Sequence, residues 1–148
     1  MREIFFRGQT RRKGQKVWMD GSPVESNWVY GGVCHGTGDF SIIYGNLDEE
    51  RERPTEKWVV YTDTVGQFTG RKDKNGKRIF EGDVCRFYGT EGYSDYVVFW
   101  DDTVSQWTVR QIDLGAKDVL DSYFAECCEV IGNIHDNPEL LGGEEDED

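Results

Sequence analysis

The sequence predicts a mostly β fold: an antiparallel meander forming SH3-like, barrel-like lobes, with one short helix near the C-terminus. Three observations lead there. Aromatic residues make up 14% of the chain, enough to fill a β-rich core. Its 18 glycines imply frequent turns. Between residues 79 and 112, short runs of β-preferring residues alternate with tight-turn signals.

The elements follow in order. Residues 2–8, "REIFFRG", read as a strand ended by Gly8, and "RRKG" as a turn into the strand "QKVWMDG", 15–21. "NWVYGGVCHG", 27–36, reads as one strand, and "DFSIIYG", 39–45, returns from it. "NLDEERERPTE", 46–56, is a solvated loop, after which "KWVVYTD", 57–63, resumes as a strand. Asn75-Gly76 is a hairpin turn signal, because both residue types tolerate positive φ. "EGD", 81–83, launches a meander with further turns at "GTEG", 89–92, and "DDT", 101–103. In 116–126, Val119, Leu120, Tyr123 and Phe124 have helical spacing, so that segment is predicted as the helix. "CCEVIGNI", 127–134, is a closing strand. In "DNPELL", Asn137 before Pro138 reads as an N-cap followed by proline at the first helical position of a single turn.

At 148 residues the chain suits one domain, 1–143, with lobes expected at 1–63 and 64–143 and a disordered acidic tail at 144–148. The formal charge is −12, and setting aside the five acids Glu144–Asp148 leaves −7. Basic groups concentrate in two places: residues 1–16 carry +5 and "RKDKNGKR", 71–78, carries +4. An acidic body repels a phosphate backbone, which makes nucleic acid the disfavoured partner. The cysteines at 34, 85, 127 and 128 are expected to be free thiols in the cytoplasm of a bacterial host. No run is long and apolar enough to predict a membrane partner.

Four stretches carry a resemblance: "REIFFRG", "NWVYG" at 27–31, "TVGQFTGRKDKNGKRIFEGDV" at 64–84 and "EVIGNIHDNPELL" at 129–141. In that order they resemble the YopX family, small proteins encoded largely by bacteriophages and prophages. The resemblance implies a mostly β fold and a phage accessory role. It carries over no catalytic residue, since the family has none assigned. Segment 11–26 is longer and more basic than the family pattern, and the acidic tail is an addition.

Within 64–84, Gly70, Gly76 and Gly82 read as backbone requirements at turns. Asp73 and Asp83 suit Asx-type bonds to nearby amides, with Asn75 completing the turn motif. Arg71, Lys72, Lys74, Lys77 and Arg78 are candidate surface contacts.

Chemistry is sparse. No Cys-x-x-Cys or His-x-x-x-His pair is present, so no metal and no other cofactor is expected. Glycine-rich 29–39 lacks a Gly-x-x-x-x-Gly-Lys pattern. Asp101 and Asp102 read as a turn, and nothing marks a nucleophile with a partnered base. No catalytic residue and no enzyme activity is predicted, with Cys34 or His35 the candidates were one to exist. The expected function is non-enzymatic binding of a bacterial or phage protein, with self-association through edge strands as a further expectation. The alternative is single-stranded nucleic-acid binding through the basic hairpins 7–16 and 71–78, with Trp18, Trp28 and Tyr30 as stacking candidates.

Overall fold

A computed structural model describes residues 4–10, 15–19, 22–45, 47–48, 53–54 and 57–142. The acidic tail, the basic residues 11–14 and most of 46–56 lie outside the described residues. The chain divides into two compact units, Met1–Phe68 and Thr69–Asp148.

In the first unit, β1 (Phe6–Gln9) and β2 (Gln15–Met19) come first, and β2 pairs with β3 (Ser22–Ser26). The predicted single strand 27–36 is two strands: β4 (Trp28–Gly31) and β5 (Val33–Thr37), broken at Gly32. They serve different partners. β4 runs antiparallel to β1, whereas β5 pairs with β6 (Phe40–Tyr44). At the break the backbones pass so closely that a Cβ on Gly31 would collide with the Tyr44 carbonyl. Within 46–56, β7 (Leu47–Asp48) and β8 (Arg53–Pro54) form a short antiparallel pair where a loop alone is predicted. β9 (Lys57–Tyr61) then adds to β6. Val29, Ile43 and Val60 form a fully buried core, backed by Phe6, Cys34, Trp58 and Val65. The unit closes where Phe6 and Arg7 pair with Gln67 and Gly66 at the start of β10 (Gly66–Lys72).

In the second unit the rest of β10 pairs with β11 (Arg78–Phe80) across the 73–77 turn. Gly76 has φ +82° and Gly82 has φ +89°, conformations that an L side chain resists. β12 (Asp83–Gly89), β13 (Gly92–Asp101) and β14 (Gln106–Gln111) form the meander, flanked by β15 (Lys117–Val119) and β16 (Cys128–Asn133) in the order β15-β14-β13-β12-β16. This five-stranded sheet is open, and no sheet closes into a barrel among the described residues. The fold is mostly β, antiparallel, with one short helix near the C-terminus.

That helix is α1 (Ser122–Cys127), shorter than predicted. Asp121 starts it by accepting a hydrogen bond from the Phe124 amide at 2.9 Å. Residues 117–119 are instead a strand, with Thr108 opposite Val119 and Arg110 opposite Lys117. Of the four residues with helical spacing, Leu120 and Phe124 reach the core, Leu120 from the link before α1 and Phe124 from α1 itself, while Tyr123 is exposed. That core also contains Ile79, Cys85, Val98, Val109, Cys128 and Val130. The terminal turn at Pro138–Leu141 is present, with Pro138 at its start. Asn137 gives it no side-chain cap; its Oδ1 accepts from the Asn133 amide at 3.3 Å.

Candidate functional site

Asp73 organises the most motif-like segment of the chain. It is buried, and its Oδ1 accepts from the amides of Asn75 and Lys77, both at 2.9 Å. Its Oδ2 accepts from the Val130 amide of β16 at 2.9 Å. The Lys74 amide donates to the Cys128 carbonyl at 3.0 Å. One carboxylate therefore closes the turn and ties it to the strand beside it. Asp83 acts similarly at the next turn, accepting from the Phe80 amide at 2.7 Å. Gly70, with φ +92°, lies inside β10.

The five basic residues around this turn do different things. Arg71 donates from Nε to the Leu120 carbonyl at 3.2 Å. Lys72 and Lys77 are exposed, and Arg78 is half-buried. Lys74 reaches the outer face of the meander, its Nζ 3.9 Å from the ring centre of Tyr88.

That outer face forms the candidate site. The tight connection between β12 and β13 sets Tyr88 opposite Tyr93 and Arg86 opposite Asp95. Across β16, Arg86 is also opposite Glu129. Alternation along the strands places all five side chains on one face. Arg86 makes a bidentate ion pair with Asp95, at 2.8 and 3.1 Å, and its guanidinium carbon lies 4.0 Å from the Tyr93 ring centre. That pairing holds Arg86 protonated, raising its pKa. Tyr88 donates its phenol to Glu129 at 2.9 Å, which pushes the Tyr88 pKa above the ordinary phenol value. The rings are 6.4 Å apart and remain open to solvent, Tyr88 at 42% and Tyr93 at 58% exposure. The result is a pre-ordered aromatic face carrying two cations, Lys74 and Arg86, and two carboxylates, Asp95 and Glu129.

Among the described residues, the other sequence candidates do not assemble. Trp28 is buried with the Arg7 guanidinium carbon 4.7 Å from its ring centre, and Tyr30 stacks on Phe5 at 5.9 Å. The Trp18 side chain lies outside the described residues. Cys34 is half-buried, and burial raises its pKa, which is contrary to what a nucleophilic thiolate needs. His35, the next residue of β5, is exposed. Asp101 accepts from the Thr103 amide and hydroxyl, bonds that close a turn and lower its pKa. Among the described residues no group of His, Cys, Asp and Glu could hold a metal ion, and no helix is long and apolar enough to cross a membrane.

Sequence reasoning missed Arg86, Tyr88, Tyr93, Asp95 and Glu129. The signal for four of them lies in the turn. Centring a hairpin on Thr90-Glu91 pairs Gly89 with Gly92, and the tyrosines and the charged pair then fall opposite one another.

A mostly β protein with an exposed aromatic face is the class that this architecture defines. Residues 26–142 match the family model described as YopX protein, and the chain belongs to the YopX family. The match covers three of the four resembling stretches and leaves out residues 2–8. No curated protein matches the chain. Among solved structures, the chain is similar to protein EF1440 from Enterococcus faecalis, with 21% identity, coverage of 93% of this chain and 96% of that one, and a TM-score of 0.45.

Proposed function

We propose that this YopX family member is a non-enzymatic accessory protein of a phage or prophage, acting in the bacterial cytoplasm by binding another protein. The observation that carries the reading is the ordered, exposed Tyr88–Tyr93 face, whose cations are matched in number by carboxylates. Exposed aromatics held in place by their neighbours supply contact area at little entropic cost, as docking surfaces do. Lys74 above Tyr88 also gives the nucleic-acid reading a foothold from the 71–78 segment. The balanced charges weigh against it, because a phosphate backbone needs uncompensated cations.

The test is an affinity capture of the tagged protein from bacterial lysate at moderate salt, split into nuclease-treated and untreated halves and read by mass spectrometry. A stoichiometric protein that survives nuclease supports the reading. Recovery of nucleic acid, with proteins lost on nuclease treatment, overturns it.

A further inference from the structure

The second unit has a cleft of about 120 Å³ lined by Phe87, Tyr96, Asp118, Val119, Asp121, Tyr123 and Phe124. It lies on the sheet face opposite the tyrosine pair, because Phe87 and Tyr96 alternate with Tyr88 and Asp95. Phe87 and Phe124 stack at 5.0 Å, and Tyr96 meets Phe124 edge-on at 5.1 Å. Tyr123, 6.0 Å from Phe87, is 68% exposed and marks the open side. The volume is several times what one water needs and fits one side-chain head.

Two carboxylates complete the lining. Asp118 Oδ1 accepts from the Val119 amide at 2.8 Å, and Asp121 Oδ1 caps α1. Among the described residues, no donor occupies the second oxygen of either group. Aromatic walls attract cations through their ring quadrupoles, and the rim carboxylates, Asp121 half-buried and Asp118 exposed, add Coulombic attraction. Anions and neutral polar groups gain neither. The rest of the chain follows the same preference: its net charge of −12 favours a basic partner.

We infer that this cleft receives a cationic side-chain head, a lysine ammonium or an arginine guanidinium, from a basic segment of the protein partner. The cleft is a second contact, apart from the Tyr88–Tyr93 face, and the inference rests on the proposed protein-binding function for the source of the cation. The recognition itself can be read without any partner.

The experiment uses the full chain and amide NMR, with N-acetyl-arginine amide and N-acetyl-lysine amide as probes and N-acetyl-citrulline amide and N-acetyl-norleucine amide as neutral controls. The cationic probes should shift resonances of residues 118–124, Phe87 and Tyr96, and the controls should not. Asp118→Asn with Asp121→Asn should weaken the cationic probes about tenfold; asparagine still caps the helix, so the fold is kept. Neutral probes binding as well as cationic ones, cationic shifts unaffected by the asparagine pair, or no shift at these residues would each overturn the inference. Cation binding here in a protein that captures no partner would refute the proposed function alone. A captured partner whose affinity ignores both aspartates would refute this inference alone.

Discussion

Replacing Asp73 with alanine removes three hydrogen bonds made by one buried carboxylate. The Val130 amide is buried and would be left without an acceptor, which costs about 1–3 kcal/mol. The Asn75 and Lys77 amides are only partly buried. Water can replace the carboxylate there, so they add about 1 kcal/mol between them. The expected loss is about 2–4 kcal/mol. At about 4–8 °C per kcal/mol for a unit of this size, melting should fall by roughly 8–32 °C. The assay is thermal unfolding followed by circular dichroism, with amide exchange on Val130 as the local readout. Asp73→Asn should fall between alanine and wild type, since its one carbonyl can serve the turn but not also Val130. Asp102→Ala, at an exposed turn position, should stay within about 0.5 kcal/mol of wild type. If Asp73→Ala melts with the Asp102 control, the carboxylate is not what joins the turn to β16.

Three further outcomes are expected. Gly76→Val should cost about 1–2 kcal/mol in urea unfolding; a Cβ there would meet nothing within 4 Å, so the whole cost is the positive φ. Tyr88 should ionise above an ordinary tyrosine in the difference between wild-type and Tyr88→Phe ultraviolet titrations, and Glu129→Gln should bring it down. The stabilisation from that raised pKa is present in full below the pH where an unfolded tyrosine ionises, and it is lost as pH climbs through the folded value. Thiol labelling of the native protein should reach Cys34 and Cys127 well before Cys85 and Cys128. Both of the latter are buried; a hydrogen bond with Cys128 and burial raise the pKa of Cys85 and hold it as a thiol, while Cys128, whose pKa that hydrogen bond lowers, is shielded by burial. Equal labelling of all four in the native state would contradict that packing.

The strand-and-turn texture of the second unit is legible because each turn carries its own chemical mark: Asn75-Gly76, Gly82 before Asp83, and glycines on both sides of Thr90-Glu91. What the sequence conceals is set by partners far along the chain. The strand break at Gly32 exists because β4 and β5 pair with different strands. Residues 117–119 become a strand because β14 offers them an edge, overriding a spacing that suits a helix. The aromatic face was hidden for a related reason. Tyr88, Tyr93 and Glu129 become neighbours only once β12 has one partner on each side, and composition alone points to tryptophans instead.

On the proposed function, the outer face of β12 and β13 is the surface that binds a protein, while the basic turn beside it serves the fold. The most direct measurement repeats the nuclease-treated capture with three proteins side by side: wild type, Tyr88→Ser with Tyr93→Ser, and Lys72→Glu with Lys77→Glu. All four positions are exposed, so circular dichroism should show three folded proteins. The tyrosine variant should lose the protein partner and the lysine variant should keep it. A partner retained by the tyrosine variant, or nucleic acid recovered by wild type and lost from the lysine variant, would contradict this reading.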